Sequence, residues 1–577
     1  MHISGDGVVT IAGGTVTDNL AANEGGGLWN SVSGSLTVDG TSVSGNSAPI
    51  GGGIFNDSGV DVTSQTFETT LSALNDSGVS GTASVTVDTT DPDNPSITVN
   101  INASGLVPNQ PHIQHIYGRF ASDLDSTDTI PGPFLGEGGV AIDSRTPDAS
   151  DDANGDGFIT VGEGLAGYGN VLLNLSSPRA PVPLEGNSPL ADFNLEDFPT
   201  AEDGTIDFSE TYTFDLSDAD QARQYNNLLP MSLREIVLHG VNTDIDVDGD
   251  GSPDGYRVTG PAAAGTLQAV GGMLTIVNSQ ISGNTASGNG GGIANESGTV
   301  SITDTTISGN VSGGDEPGEG GGGIFNNGGT VMITDSDVFE NTAIAGLGNG
   351  GGILNANGGT LVVRGGTISN NDASRAGGGV ENAGNATFFE TEFDGNTTGI
   401  NGGALHTSGP WTANFIDTTI TGNLAGAEGG GVWNSSTGTM TLVGSTVDGN
   451  TASGDDADQG GGGVFNDGGA LTVDSTSITN NIADGMSGSG GGILNLGSMT
   501  ITDSTISGNV ANRAGGGIEA TDASSTSLTD VNLDGNNVGV SPAVAAPGNG
   551  GGLHVTGAGT VTISGGTVNN NVAASEG

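Results

Sequence analysis

The chain has no cysteine, no lysine, and only nine arginines against 66 carboxylates, a formal charge of −57 over 577 residues. Without cysteine there is no disulfide and no thiolate metal site. A surface of this sign repels phosphate, so nucleic acid and anionic lipid are excluded as partners, while divalent cations are attracted. No apolar stretch is long enough to cross a bilayer, which excludes direct membrane insertion by a helix. Aromatic residues make up 4% of the sequence and glycine supplies 108 positions. Such a composition suits disorder, but a strict apolar period argues against it.

That period is the main positive feature. Clusters such as Gly25-Gly26-Gly27-Leu28-Trp29-Asn30, Gly321-Gly322-Gly323-Ile324-Phe325-Asn326 and Gly461-Gly462-Gly463-Val464-Phe465-Asn466 put an apolar residue after glycine. It falls at 28, 54, 293, 324, 353, 380, 404, 432, 464, 493, 518 and 553. Apart from one jump of 239, the steps run from 24 to 35 residues, a solenoid spacing in which each repeat buries its apolar face only against its neighbours. Within one repeat Val300 and Ile302 alternate with Thr299, Ser301 and Thr303, the period of two of a half-buried strand. Ile293 and Ile307 mark two further short strands. No repeat has helical apolar spacing, which disfavours leucine-rich and ankyrin-type solenoids.

A second marker closes each coil: Ile281-Ser-Gly-Asn284, Ile307-Ser-Gly-Asn310, Ile420-Thr-Gly-Asn423 and Ile506-Ser-Gly-Asn509 are examples, and thirteen such asparagines run from Asn19 to Asn571. Stacked coils would bring their amides into register as a bonded ladder, although asparagine also suits turns in its own right. The expectation is an all-β fold, a right-handed parallel β-helix of about 13 coils and roughly 60 Å at the strand spacing. The pattern resembles the β-helix proteins of bacterial surfaces of the polymorphic outer membrane protein type, marked by Gly-Gly-Ala-Ile and Phe-x-x-Asn; Phe393-Asp-Gly-Asn396 is the literal copy here. The resemblance covers about two thirds of the chain and implies fold more than activity.

Between Ile54 and Ile293 the repeat stops. All five tyrosines, 14 of the 20 prolines and six of the nine arginines fall between Gln65 and Arg257. The organisation expected is first coils at 1–64, an inserted β-sandwich-like domain at 65–261 and the main repeat region at 262–577. Thr66-Phe67 with Leu71, the strand from Gly81, Ile97 to Leu106, Pro108, and His112-Ile-Gln-His115-Ile-Tyr-Gly118 resemble a CHRD domain. That family implies a secreted all-β module with no agreed activity. Its own motif is His-Ile-His, which this spacing departs from.

Three constellations could carry chemistry. Asp152, Asn154, Asp156, the Phe158 carbonyl, Thr160 and Glu163 place oxygen at positions 1, 3, 5, 7, 9 and 12 of a calcium loop, with Gly157 at the sharp turn. No flanking helix is evident, so the loop alone is expected to take Ca2+; an acidic surface loop is the plainer reading. Asp246, Asp248, Asp250 and Asp254 begin a second such loop, but Arg257 stands at its last position. His112, His115 and His239 could share a transition metal, though a satisfied structural histidine is commoner.

On the repeats only Arg364, Arg375 and Arg513 are cationic, so a polysaccharide-lyase base is missing and catalysis by the rod is not expected. The function expected is a secreted or cell-surface structural and adhesive protein, a calcium-stabilised stalk carrying the inserted module and binding glycan or a cell-surface protein. The alternatives are a carbohydrate-binding or polysaccharide-degrading rod, and a metal-binding module in the insert. Met1-His-Ile-Ser-Gly runs straight into strand pattern and Val568–Gly577 stops just after a coil-closing asparagine. The expectation is therefore a piece of a longer exported protein.

Overall fold

A computed structural model gives the chain's structure and describes all residues except 6, 58–63, 92, 121–140, 143, 179–193, 230, 246–254, 271, 317, 345, 522–523, 540–547 and 577. The chain divides into two compact units, Met1–Gly59 with Gly271–Gly577, and Val60–Val270.

The first unit is a parallel β-solenoid. One coil holds four short strands: Ile324–Asn327, Thr330–Thr334, Asp337–Phe339 and Thr342–Ala343. Each pairs in parallel with its counterparts in the coils before and after, which satisfies backbone groups that a lone coil would leave unbonded. The sequence led us to expect three strands; the fourth is a two-residue piece, too short to carry a period. Ile324, Val331, Ile333 and Val338 point inward, and all belong to one apolar core that extends from Ile3 to Leu533. Two of the four sheets carry 13 strands and two carry 12. A turn count over the whole chain comes to about 17, against the expected 13; the strands paired in register are the rungs that set the length of the ladder. Register also corrects one repeat position. Leu405, not Ala404, pairs with Val380 and Val432, so Ala404 occupies the place of a third glycine.

Two asparagine columns line the inside. The thirteen coil-closing residues form one unbroken column, each Nδ2 donating to the next Oδ1 at 2.8–3.0 Å. The second column uses the asparagine after the glycine cluster, as in Asn295→Asn326→Asn355→Asn382 at 2.8–2.9 Å. It is interrupted at Thr407, and Asn495 turns instead to Thr526 Oγ1 because Ala520 follows it in register.

The second unit is built on a ten-stranded antiparallel sheet. Its strands are β1 (Ser64–Ala73), β2 (Ser80–Asp88), β3 (Ser96–Ser104), β4 (Gln114–Phe120), β5 (Ala141–Ile142), β6 (Asn170–Asn174), β7 (Thr205–Thr213), β8 (Arg234–Thr243), β9 (Gly255–Thr266) and β10 (Gln268–Ala269). The order is β5-β4-β8-β9-β1-β2-β3-β7, with β6 on β4 and β10 on β1. Tyr212 Oη of the last strand donates to Ser176 O, just past β6, at 3.0 Å, so the two ends of the sheet meet. The expected boundary at 261 moves to 270, because β9 and β10 are held by pairing to β8 and β1. Two helices, α1 (Val161–Tyr168) and α2 (Ala219–Leu228), complete the unit.

Candidate functional site

In the loop Asp152–Glu163 the acidic side chains turn inward onto the loop's own N–H groups. Asp152 accepts from Gly155 at 2.8 Å and Gly157 at 2.8 Å, Asn154 Oδ1 from Asp156 at 2.8 Å, and Asp156 from Phe158 at 2.7 Å. Gly157 has φ +88°, a conformation open to glycine and strained for other residues. Phe158 is buried, which anchors the chain beside the position whose carbonyl would be a ligand. Ile159 is held at both backbone groups by one side chain: its N–H donates to Asn75 Oδ1 at 2.7 Å, and its carbonyl accepts from Asn75 Nδ2 at 2.8 Å. A helix absent from the sequence reading does follow the loop. Thr160 is the N-cap of α1 in a capping box with Glu163, while the other Glu163 oxygen reaches back to the Asn154 N–H at 3.3 Å. That last bond folds position 12 over position 3, the closure an oxygen cage requires. Among the described residues no three His, Asp or Glu side chains converge as they stand to hold a metal; Glu163 would have to exchange its capping bonds for the ion. The second acidic group, Asp246, Asp248, Asp250 and Asp254, lies outside the described residues.

The structure brings together two of the three histidines. His115 and His239 lie 5.4 Å apart between ring centroids and are fully buried. His239 Nδ1 is 2.8 Å from Thr259 O, and a carbonyl only accepts, so this nitrogen carries the proton. Nε2 then accepts from Tyr117 Oη at 3.0 Å, and the same hydroxyl oxygen accepts from His115 Nδ1 at 3.2 Å. Tyr117 is thus the centre of a buried relay of hydrogen bonds. His112 does not join it: its nitrogens face His239 O at 2.8 Å and Val107 O at 3.1 Å. Burial holds the His239 imidazole down to about 4, and burial together with the neighbouring His239 holds His115 well below the usual range.

Beside this network sits a buried carboxylate that the sequence gave no reason to single out. Glu235 accepts from Thr146 Oγ1 at 2.5 Å, and among the described residues its second oxygen has no partner. Burial pushes it up to about 7, against the opposing pull of the Thr146 bond and Arg145. These groups give opposite pH dependences. His239 contributes fully above its unfolded value near 6.5, and about 3 kcal/mol is lost as pH falls to about 4. Glu235 contributes fully below about 4.5, and a similar amount is lost as pH rises through about 7. Glu235→Gln is therefore expected to raise the unfolding midpoint of the second unit at pH 8 and to leave it nearly unchanged at pH 4. The NMR ring signals of selectively labelled tyrosine read this unit alone, because all five tyrosines lie in it; an equal shift at both pH values would overturn the assignment.

On the solenoid, register assembles a constellation missed in the sequence. Glu381 pairs with His406 one coil on, and Glu519 with His554. In both, glutamate Oε2 lies 2.8 Å from histidine Nδ1, and a hydroxyl, Ser408 or Thr556, donates to the other glutamate oxygen. The hydroxyl lies on the Nδ1 side of the ring, away from Nε2, so it is not a nucleophile poised on a base. His406 stacks on Trp433 at 4.2 Å, and Trp433 Nε1 donates to Glu428 at 3.0 Å; His2, Trp29 and Glu24 repeat that geometry at 4.0 Å and 3.2 Å. The signal was available: Arg375-Ala-Gly-Gly-Gly-Val-Glu381 and Arg513-Ala-Gly-Gly-Gly-Ile-Glu519 are near copies, five rungs apart in the glycine-side sheet.

Comparison with protein-family models, curated proteins and solved structures gives no match. The parallel β-solenoid stands on the geometry above.

Proposed function

We propose that this chain is a structural and adhesive protein of the cell exterior, a solenoid scaffold with a calcium-ordered inserted module that binds glycan or a cell-surface protein. The observation that carries the scaffold role is the unbroken thirteen-residue asparagine column. It sets one asparagine on each rung, all but the end residues buried, in a bonded line along the axis. The finer readings, the polymorphic outer membrane protein type for the repeats and a CHRD-like insert, rest on the tetrapeptides and on the Ile97–Gly118 passage. Binding of the whole chain to cells or immobilised polysaccharide in calcium buffer tests the adhesive part, which fails if neither surface retains it.

Calcium is assigned to Asp152, Asn154, Asp156, Phe158 O, Thr160 and Glu163, on the donor order and on the fold-back of Glu163. The ion would neutralise carboxylates in a strongly acidic chain and tie α1 to the loop. At free calcium about 100-fold above Kd the gain is about 2.7 kcal/mol. We expect calcium added after EGTA to raise the midpoint of the tyrosine-reported transition, and Asp152→Ala to abolish that rise. A rise that survives the substitution would place the ion elsewhere.

A further inference from the structure

The second unit has a cleft of about 460 Å³ on the outward face of β1, β2 and β3. Strand alternation explains its chemistry: Phe67, Leu71, Ala83, Val85, Val99 and Ile101 point to the core, which leaves their polar neighbours to line the other face. Two rows cross the strands. In the first, Gln268, Glu68, Ser84, Asn100 and Ser209 are successive register partners; in the second, Thr70, Thr82, Asn102 and Asp207 are. Partners across neighbouring strands stand about 5 Å apart, and the rows are separated by about 7 Å along the strands.

The two rows differ in how their bonding capacity is used. Asn100 donates to Ser84 Oγ at 3.3 Å and accepts from Ser209 at 2.8 Å, so that part of the floor is locked. Glu68, Thr70, Thr82, Asn102 and Gln268 make no side-chain hydrogen bond to any described residue, and all five line the cleft. The result is a rigid floor ringed by free amides, hydroxyls and a single carboxylate. Among the described residues no cation lines it, which disfavours phosphate, sulfated and uronic ligands, and the net charge of −57 acts in the same direction. Among the described residues no aromatic or bulky aliphatic side chain lines it either, which disfavours an apolar ligand. Closely spaced, neutral donors and acceptors on a fixed backbone match a ligand that presents adjacent hydroxyls, and the volume is that of a small-molecule site.

We infer that this cleft is a binding site for a neutral oligosaccharide, held by hydrogen bonds from Asn102, Gln268, Thr70 and Thr82, with Glu68 accepting from a pair of neighbouring hydroxyls. The inference rests on the glycan-binding reading above and gives it a location. The test uses the full chain against immobilised neutral β-glucan, mannan and xylan oligosaccharides, with alginate oligosaccharides as the acidic comparison. At least one neutral ligand is expected to bind and the acidic one is not. Asn102→Ala and Glu68→Gln, both at exposed positions, are each expected to weaken binding by roughly tenfold, the scale of one lost hydrogen bond to a ligand. Thr211→Ala, on the same face but outside the cleft, should leave it unchanged. Neutral-sugar binding that both cleft variants leave intact overturns this site while the glycan reading stands. No binding of any sugar by the wild-type chain overturns both.

Discussion

Gly351→Ala is expected to destabilise the solenoid by about 3 kcal/mol, the upper end of what one added methyl costs a packed interior. Gly351 is the middle glycine of the cluster before Ile353. A Cβ there would lie 2.5 Å from Gly378 O in the next coil and 2.6 Å from both Asp372 N and Asp372 C. All three atoms are backbone, fixed by the parallel ladder, so neither neighbour can turn away as a side chain could. Two coils must separate, and the Gly351 N–H bond to Gly377 O at 3.1 Å is strained with them. The useful comparison is Gly309→Ala. That glycine has φ +61° and nothing within 4 Å of a built Cβ, so only the left-handed backbone penalty of about 1–2 kcal/mol applies. Denaturation midpoints of the two variants should therefore differ, with Gly351→Ala the lower. Equal midpoints would mean that the glycine clusters serve backbone conformation alone and that the coils tolerate wider spacing. Because solenoids lose cooperativity when one interface weakens, hydrogen exchange should also show the loss centred on the coils at 351 and 378.

The second large effect is expected at Asn341. Its Oδ1 accepts from both the Asn310 backbone N–H at 3.0 Å and Asn310 Nδ2 at 2.9 Å, while its own Nδ2 donates to Ile307 O at 2.9 Å and to Asn371 Oδ1 at 3.0 Å. Asn341→Ala removes all four bonds in a fully buried position. The Asn310 N–H then has no acceptor, and a buried orphaned group costs about 1–3 kcal/mol. With Ile307 O and Asn371 also losing donors, a total of about 4 kcal/mol is expected. Asn341→Asp separates the two halves of the effect. It keeps the acceptor for Asn310 but loses the donors and brings a buried charge opposite Asn371 Oδ1, so it should be no better than alanine at pH 7 and should recover as pH falls and the carboxyl protonates. If Asn341→Ala proved neutral, asparagine would be acting as a turn residue only, and the column would be a by-product of stacking.

Much of this was legible in the residues. The glycine-apolar clusters and the coil-closing asparagines named the solenoid, its apolar interior and one bonded column, because repeats stack in register and a local pattern then becomes a long-range one. Leu405 shows the limit: Ala404 follows glycine as the other apolar residues do, and only pairing with Val380 and Val432 reveals that one glycine has been replaced. The inserted unit was harder. Its strands could be picked out by alternation, but distant antiparallel partners such as Gln114 with Leu238 and Ala73 with Ala263 leave no periodic trace. The meeting of His115, Tyr117 and His239, the isolation of His112, and the burial of Glu235 are products of that pairing.

The oxygen order of Asp152–Glu163 was set by the sequence alone, whereas Asn75 pinning Ile159 and Glu163 folding back to Asn154 needed tertiary structure. The same holds for the Glu381–His406 and Glu519–His554 pairs, where one coil must overlie the next before a carboxylate meets an imidazole. Composition and the repeat thus determined the class of fold. Which polar groups meet, which stay free to bind, and which are buried at a cost were decided by strand register, since a hydrogen bond depends on distances of a fraction of an ångström that no linear spacing specifies.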